Sequence, residues 1–222
     1  MRRAPYEACK RVLDLAIASA AAVVTAPLMA AIALAIRLED GGPALLRQSR
    51  VGLNGEDFEL IKFRTMIADA HRVGTGWLIA ERDPRITRVG HVLRKWSLDE
   101  LPQVFNVLRG DMSIVGPRPT LRYQVDQYTP FQRRRLLVRP GITGWAQIQG
   151  RNTLRWPERI VLDVWYVEHR SLRLDLLILL RTLPLLVSPS GVYNEARGDW
   201  GEVVDPAGHA EQTPDAPAET AA

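Results

Sequence analysis

Cysteine is almost absent from this chain of 222 residues, since Cys9 is the only one. A single thiol cannot form an internal disulfide, and it excludes a zinc site built on cysteines. The sequence also lacks a GxxxxGK phosphate loop, an HExxH zinc motif and a CxxC pair. An ATPase, a zinc protease and a thiol redox enzyme are therefore without support.

Basic residues are missing from the C-terminus. Residues 199–222 hold six acids and no Lys or Arg, whereas residues 1–198 carry 29 basic and 19 acidic side chains, a formal charge of +10. This excess favours an anionic partner, which charge alone leaves open as nucleic acid, phospholipid headgroups or a phosphorylated small molecule. Because residues 199–222 are rich in Pro, Ala and acids, we predict a disordered tail there.

Formal charge is missing altogether from residues 15–36. A helix of that length measures about 33 Å, close to the hydrocarbon thickness of a bilayer, which predicts a membrane helix. Basic residues flank it on both sides, whereas a simple crossing is normally lopsided. Pro27 lies near the midpoint, where Thr25 can satisfy a freed carbonyl. We predict a re-entrant helix broken at Pro27 that enters and leaves by the cytoplasmic face; an ordinary kinked span is the alternative.

The remainder is predicted to be one mostly helical α+β unit. Asn54-Gly55 is a tight-turn signal between residues 50–53 and 58–64, which predicts a small β-hairpin. Residues 138–152 are Gly-rich and predicted to be non-helical. Apolar spacing predicts three helices: residues 120–137, 157–170 and 172–187. The last is too short and too polar to span a bilayer, so we expect it in the membrane interface or in the core.

Charged side chains concentrate between residues 85 and 119, around the pair Asp99-Glu100. Basic groups and a divalent metal can neutralise a diphosphate that would otherwise repel an anionic nucleophile. With an ordinary aspartate pKa of about 3.9, Asp99 is ionised at neutral pH and needs no general base to attack phosphorus. The resulting carboxyl phosphate can pass its phosphoryl group to a second phosphate.

Each part of this cluster also has a purely structural interpretation. Ser97-Leu98-Asp99-Glu100 fits a helix-capping box, although Pro102 would disturb that helix. Pro117-Arg118-Pro119 is compatible with a simple rigid turn. Individually, none of these patterns is specific.

Five segments in a fixed order carry a stronger signal. They are Lys10-Arg11-Val12-Leu13-Asp14, Gln48-Ser49-Arg50-Val51-Gly52, Lys62-Phe63-Arg64-Thr65-Met66, the stretch from Ser97 to Pro119, and Arg139-Pro140-Gly141-Ile142-Thr143-Gly144-Trp145-Ala146-Gln147. Together they resemble the bacterial sugar transferases, the small monotopic polyprenyl-phosphate phosphoglycosyl transferases. The resemblance covers residues 8–198.

That resemblance implies a two-step transfer of a sugar 1-phosphate from a UDP-sugar to undecaprenyl (polyprenyl) phosphate, with release of UMP. Asp99 matches the family's nucleophile, and Glu100 accompanies it in a dyad that helps to place Mg²⁺. Matching basic positions are expected to bind phosphate: Lys62, Arg64, Arg94 and Arg118. Trp145 is a candidate for stacking on uracil, although a core tryptophan is the simpler interpretation.

The resemblance also implies a domain plan: a re-entrant helix in residues 1–38, a cytoplasmic catalytic domain in 39–198 and the tail in 199–222. The family breaks its helix at a Ser-Pro pair, for which this chain has Ala26-Pro27. The expected location is the cytoplasmic face of the bacterial inner membrane. Expected partners are the phospholipid membrane and the downstream glycosyltransferases of exopolysaccharide, lipopolysaccharide O-antigen or glycoconjugate assembly.

Two other classes are compatible with parts of the sequence. A basic chain with aromatics can bind nucleic acid, but the membrane segment argues against it, so we predict no nucleic-acid partner. An inactive scaffold in a polysaccharide-assembly complex is the second. Nothing in residues 139–198 names the sugar.

Overall fold

The computed structural model of the chain describes residues 3–67, 70, 83–150 and 154–187. Its helices are α1 (Arg3–Asp40), α2 (Arg88–Lys95), α3 (Gln103–Arg109), α4 (Arg122–Asp126), α5 (Pro130–Arg133), α6 (Trp145–Gly150), α7 (Trp156–His169) and α8 (Leu172–Val187). Its strands are β1 (Leu45–Val51), β2 (Asp57–Phe63), β3 (Ser113–Val115) and β4 (Gly141–Thr143). The predicted class, mostly helical with a small β component, is confirmed. The predicted tail, residues 199–222, lies outside the described residues.

Helix α1 carries the uncharged run. Among the described residues it is the one helix long and apolar enough to cross a membrane, by length and composition. Pro27 lies inside it and does not end it. The expected role of Thr25 is wrong: its Oγ1 donates to the carbonyl of Ala21 at 2.7 Å, whereas the N–H that proline lacks would have bonded to the carbonyl of Val23.

Both flanks of α1 pack against the same folded unit. At the N-terminal flank, Lys10 Nζ lies 3.0 Å from the Asp175 carboxylate of α8. At the C-terminal flank, the Glu39 carboxylate accepts the backbone N–H of Arg88 at 2.7 Å. Between the flanks, Val23 is 75 % exposed. Both flanks of the apolar helix thus contact the rest of the folded unit.

Strands β1 and β2 form the predicted hairpin. They pair antiparallel from Leu45 opposite Phe63 to Val51 opposite Asp57. Asn54 (φ 55°) and Gly55 (φ 82°) are left-handed, as the turn signal required, within a five-residue connection that also holds a 3₁₀ turn. Because side chains alternate along a strand, residues 46, 48 and 50 share a face with residues 58, 60 and 62.

The parallel pair of β3 and β4 was not predicted. Each strand has three residues, too few for an alternating pattern. Their partner segments approach closely: a Cβ on Gly141 would lie 2.1 Å from the backbone nitrogen of Gly116. Glycine at Gly141 is therefore required by contact with the segment that leads into Pro117-Arg118-Pro119.

Two predictions for the middle of the chain are wrong. Residues 120–137 form α4, α5 and a separate 3₁₀ turn, because Pro130 cannot continue a helix and Thr129, in extended conformation, caps α5 instead. Residues 138–152, predicted to be non-helical, contain the short helix α6. Gly144 precedes that helix and Gly150 is its last residue, so neither glycine prevents it.

Helices α7 and α8 occur where apolar spacing predicted them. Asp175 of α8 is buried and accepts hydrogen bonds from Tyr6 Oη at 2.9 Å and Tyr166 Oη at 2.7 Å. The outer face of α8 is instead apolar and exposed, through Leu172, Leu176, Leu177, Leu180 and Leu183. Polar groups inside and leucines outside are the arrangement of a helix that lies against lipid.

The main core cluster joins the elements around this helix. It contains Ala18 of α1, Val107 of α3, Met112, Tyr166 of α7 and Ile178 of α8, all of them fully or almost fully buried. The first half of α1 is therefore part of the catalytic unit's core as well as the start of the apolar helix.

Candidate active site

Asp99 and Glu100 lie on a 3₁₀ turn, Leu98–Glu100. Ser97 before it is left-handed (φ 54°) and its side chain makes no capping hydrogen bond, so the capping-box interpretation is wrong. A left-handed residue other than glycine is uncommon and costs free energy unless the surroundings hold it. The backbone is thus bent just before the two carboxylates.

Apolar anchors hold the turn from both sides. Leu98 and Leu101 pack against a cluster that includes Ile36 of α1 and Phe63 of β2. Asp99 lies between these two anchors in sequence. This packing places Asp99 beside the C-terminal half of the apolar helix.

Lys62 is supplied by β2, and a buried asparagine fixes that strand. The backbone N–H of Ile61 donates to Asn106 Oδ1 at 3.0 Å, and Asn106 Nδ2 donates to the carbonyl of Glu59 at 2.6 Å. Asn106 is 0 % exposed and belongs to α3, which directly follows the turn. One side chain thereby joins the strand of Lys62 to the segment of Asp99. Sequence reasoning gave Asn106 no role.

Arg94 comes from α2, which is capped by Thr87 through a bond from Gly90 N at 2.9 Å. A Cβ on Gly90 would lie 2.1 Å from the carbonyl oxygen of Thr65, so only glycine permits this close approach. The Nε of Arg94 donates to Thr65 Oγ1 at 2.8 Å. The helix is thereby fixed to the end of the hairpin that carries Lys62.

Arg118 pairs with Glu100 through both of its terminal nitrogens, with Nη1 3.2 Å from Oε2. The turn that carries Arg118 is held from behind by Arg135, whose Nη2 donates to the carbonyl of Arg118 at 2.9 Å. Arg135 is 3 % exposed and is neutralised by the buried Asp163 carboxylate at 2.5 Å. This supporting pair was not identified in the sequence, where its members are 28 residues apart.

The electrostatic environment of Asp99 departs from the sequence expectation. The pKa of Asp99 is raised to about 6, chiefly by burial and then by the adjacent Glu100 carboxylate, against the lowering effect of Lys62, Arg94 and Arg118. Asp99 is thus not an ordinary aspartate with a pKa near 3.9, although it is mostly ionised at neutral pH. Carboxylates perturbed by both burial and charge are typical of functional sites.

Two basic groups of the site are perturbed in the opposite direction. Burial lowers the pKa of Lys62 to about 8, against the favourable charge of Asp99. Burial and the nearby Arg118 lower the pKa of Arg50 to about 10. Arg50 lies in one of the five family segments but was not predicted to be a site residue. Arg50 lies on the same face of the hairpin as Lys62, and this shared face is the signal by which the sequence could have identified it.

Arg64 lies apart from this group, and the prediction that it binds phosphate is not supported. Its guanidinium donates to both carboxylate oxygens of Asp40, at 2.6 and 2.5 Å, and to the carbonyl of Pro43 at 2.7 Å. Arg64 is buried, and its position closes the connection between α1 and β1. Arg64 follows Lys62 by two residues, the spacing of side chains on one face of a strand, which is why the sequence suggested that it binds phosphate.

Trp145 packs as a core residue. Its ring stacks on that of Trp165, with centroids 5.0 Å apart, and it contacts the main core cluster. This supports the structural interpretation of Trp145 over stacking on a base.

Asp99 and Glu100 are the candidate ligands for Mg²⁺. Within the described part of the chain, no group of three or more His, Cys, Asp or Glu residues gathers at one point. Mg²⁺ is commonly held by one or two carboxylates together with substrate phosphates, so this pair fits such an ion when a diphosphate completes the coordination.

A half-buried carboxylate among cations, on a turn that packs against an apolar helix, defines a candidate membrane enzyme that acts on phosphorylated substrates. The family model described as bacterial sugar transferase matches residues 5–189. The chain therefore belongs to the bacterial sugar transferase family, and the prediction of a phosphoglycosyl transferase is confirmed.

Three relatives illustrate the similarity. The chain is 44 % identical over 183 residues to a Bacillus subtilis protein named uncharacterized sugar transferase EpsL, which covers 82 % of this chain and 89 % of the relative. It is 45 % identical to the UDP-glucose:undecaprenyl-phosphate glucose-1-phosphate transferase of Caulobacter vibrioides, over 83 % of this chain and 72 % of the relative. It is 43 % identical to the UDP-N-acetylgalactosamine-undecaprenyl-phosphate N-acetylgalactosaminephosphotransferase of Aeromonas hydrophila, over 84 % and 45 %.

Proposed function

We propose that the protein transfers a sugar 1-phosphate from a UDP-sugar to undecaprenyl (polyprenyl) phosphate and releases UMP, by way of a sugar phosphate carried on Asp99. The relatives from Caulobacter vibrioides and Aeromonas hydrophila are named for sugar-phosphate transfer to undecaprenyl phosphate. The observation that carries the proposal is the position of Asp99 on a fixed turn, next to the charges of Lys62, Arg94 and Arg118.

In the first half-reaction, an oxygen of the Asp99 carboxylate attacks the β-phosphorus. The new bond joins Asp99 to phosphorus, and the bond to the oxygen that bridges the two phosphates breaks, so UMP leaves with that electron pair. Lys62 and Arg94 offset the repulsion between the carboxylate and the diphosphate. Because the Asp99 pKa is about 6, the attacking form is available at neutral pH.

In the second half-reaction, a phosphate oxygen of the polyprenyl phosphate attacks the same phosphorus and the bond to Asp99 breaks. The carboxylate is regenerated and the lipid receives the sugar phosphate. A carboxyl phosphate conserves the energy of the original diphosphate, so the exchange needs no ATP, in agreement with the missing nucleotide-binding loop.

Glu100 is proposed to hold Arg118 in place and to share Mg²⁺ with Asp99. When bound, the ion would neutralise phosphate charge as a Lewis acid. The chain's own contribution is the paired geometry of Glu100 and Arg118, which keeps one guanidinium beside the reacting phosphate.

We further propose that α1 is re-entrant and that catalysis takes place at the cytoplasmic face of the inner membrane. The support is that both flanks of α1 contact one folded unit, through Lys10 and Asp175 at one end and Glu39 and Arg88 at the other. A straight crossing would place these ends on opposite faces. Basic flanks on both sides favour the cytoplasmic face, and the leucines of α8 supply a second lipid contact.

Removing the nucleophile tests the reaction. Asp99→Asn is expected to lower UMP release by more than about a thousandfold, because the covalent route is lost. Asp126→Asn, an exposed change of the same chemistry in α4, is the matched control and should keep parental activity. Equal UMP release by Asp99→Asn and the parent would refute the assignment and favour the alternative of an inactive scaffold.

The covalent step has its own test. Incubation with a UDP-sugar labelled in the sugar, without acceptor lipid, should leave label on the parent protein and none on Asp99→Asn. Adding polyprenyl phosphate should then transfer the label to lipid. If UMP is released only when both substrates are present and no label stays on the protein, the two-step scheme is wrong.

The sugar and the pathway are the finer part of the proposal. Relatives of similar identity are named for glucose and for N-acetylgalactosamine, so overall similarity does not choose the sugar. UMP release measured against a panel of UDP-sugars would choose it. The lipid-linked product would be the substrate of downstream glycosyltransferases in exopolysaccharide, O-antigen or glycoconjugate assembly.

A further inference from the structure

Arg50 is a partly buried cation that makes no ion pair with any described residue. Its Nη2 donates to the amide oxygen of Gln48 at 2.8 Å, and its buried Nε has no hydrogen-bond acceptor among the residues that the structure describes. A neutral amide does not compensate a charge removed from water, so burial of this guanidinium is costly in the absence of an anion. An arginine in this state is suited to receive an anionic ligand.

The fold brings Arg50 against the turn that carries Arg118. The backbone N–H of Val51 donates to the carbonyl of Thr120 at 2.9 Å, which fixes the end of β1 to the segment after Pro119. Arg118 faces Glu100 from the same segment. The two guanidinium groups therefore lie close enough for their charges to interact.

The charges around the site are unbalanced in favour of a dianion. Four cations surround two carboxylates: Arg50, Lys62, Arg94 and Arg118 against Asp99 and Glu100. A nucleotide sugar has two phosphates, each with a negative charge, and before any Mg²⁺ binds these side chains carry an excess of the opposite sign. Lys62 and Arg94 are on the Asp99 side of the site, whereas Arg118 interacts with both Asp99 and Arg50.

The division between the two phosphates follows from position. Lys62, Arg94 and Arg118 interact with Asp99, where phosphorus is attacked, so Arg118 has both Asp99 and Arg50 as neighbours. Arg50 interacts with Arg118, Tyr123 and Glu100, and Asp99 is not among its interacting charges. We propose that Arg50 forms a subsite for the phosphate that Asp99 does not attack, the one that departs in UMP, and that Arg118 lies between this subsite and the attacked phosphate. This inference rests on the proposed function and names a binding residue that the family resemblance did not supply.

Binding of UMP to the full-length protein in lipid nanodiscs tests the subsite. Calorimetric titration should show Arg50→Gln binding UMP about ten- to a hundredfold more weakly than the parent, the range for loss of a hydrogen bond to a charged group. Arg50→Lys keeps the charge and should recover part of the affinity. Arg47→Gln, an exposed arginine of the same strand whose partner is the exposed Glu59, is the control and should bind UMP like the parent.

Each outcome decides the proposal. Equal UMP affinity in the parent and in both Arg50 variants, with unchanged thermal unfolding, would overturn it. So would a raised KM for polyprenyl phosphate with unchanged UMP affinity, because Arg50 would then serve the acceptor's phosphate. If Arg50→Gln fails to fold, the comparison of Arg50→Lys with the parent applies the same criterion.

The same UMP titration tests the Arg50 subsite independently of the proposal that Asp99 is the nucleophile. Asp99→Asn should bind UMP at least as tightly as the parent, since it removes a negative charge beside the subsite. Turnover retained in Asp99→Asn would remove the proposed mechanism and leave the Arg50 subsite standing. Loss of UMP affinity confined to Arg50→Gln would support the subsite whichever residue is attacked.

Discussion

The buried side chain of Asn106 completes the hydrogen bonding of Ile61, whose backbone N–H lies 3.0 Å from Oδ1. A second bond, from Asn106 Nδ2 to the Glu59 carbonyl at 2.6 Å, satisfies the next polar group of the same strand edge. The amide thus replaces a neighbouring β-strand, with a donor and an acceptor in the required order. Lys62 follows Ile61, so its position depends on this contact.

Asn106→Leu is therefore expected to destabilise the protein. The change leaves two backbone groups of β2 without partners, at about 1–3 kcal/mol for each buried group. Thermal unfolding in detergent would measure the loss, with Gln149→Leu on the exposed side of α6 as a control that changes stability by less than about 0.5 kcal/mol. An Asn106→Leu protein as stable as the control would contradict this role.

The pH dependence of kcat/KM should be bell-shaped. Asp99 attacks as a carboxylate, so activity should rise as pH increases through about 6. Lys62 neutralises phosphate as an ammonium, so activity should fall as pH increases through about 8. Lys62→Arg should move the alkaline limb upward and leave the acid limb in place, because guanidinium stays charged. An alkaline limb unchanged in Lys62→Arg would exclude Lys62 as its origin.

Stability should depend on Asp99 in the opposite sense to activity. The Asp99 pKa is higher in the folded protein, about 6, than in the unfolded chain, about 3.9, so its stabilising contribution is complete below the lower value and lost as pH rises through the higher one. Asp99→Asn should therefore unfold at a higher temperature than the parent at pH 8 and at a similar temperature at pH 4. If Asp99→Asn is less stable than the parent at pH 8, the folded protein does not disfavour the ionised form of Asp99.

The buried pair of Arg135 and Asp163 lies behind the turn of Arg118. Variants of this pair can separate an effect on stability from an effect on the position of Arg118. Asp163→Ala leaves Arg135 charged and unpaired in the interior, a change that typically costs about 3–5 kcal/mol. The double variant Arg135→Met, Asp163→Leu removes both charges and should recover most of the stability. It should still have a reduced kcat, because the carbonyl of Arg118 has lost its donor. A double variant with parental kcat would mean that Arg135 only stabilises the fold.

The features that the sequence predicted correctly are those that depend on residues close together in the chain. Asn54 and Gly55 indicate the hairpin because their left-handed conformations are local, and α7 and α8 follow from apolar spacing within each helix. Asp99 was identified by its adjacent carboxylate and its family motif. The break predicted at Pro27 does not interrupt α1, and the carbonyl that Thr25 bonds depends on helix geometry.

The remaining features depend on partners distant in sequence. Arg64 has the pattern of a phosphate ligand, yet Asp40, 24 residues earlier, binds its guanidinium. Three-residue strands such as β3 carry no periodicity and exist because β4 pairs with them. Arg50 is distinguished from Arg47 only by tertiary contacts, since Arg47 pairs with Glu59 and no described carboxylate pairs with Arg50. Long-range contacts decide these assignments, and local patterns do not contain them.

The single cysteine gives a direct test of how α1 meets the membrane. Cys9 is exposed and lies on the N-terminal flank of α1. In a re-entrant arrangement it stays on the cytoplasmic side, so a membrane-impermeant maleimide should leave it unlabelled in intact cells and label it after lysis. In a Cys9→Ala background, Glu56→Cys in the exposed hairpin turn should behave in the same way. Labelling of Cys9 in intact cells, with the Glu56→Cys reporter protected, would establish an ordinary crossing and contradict the packing of both flanks on one unit.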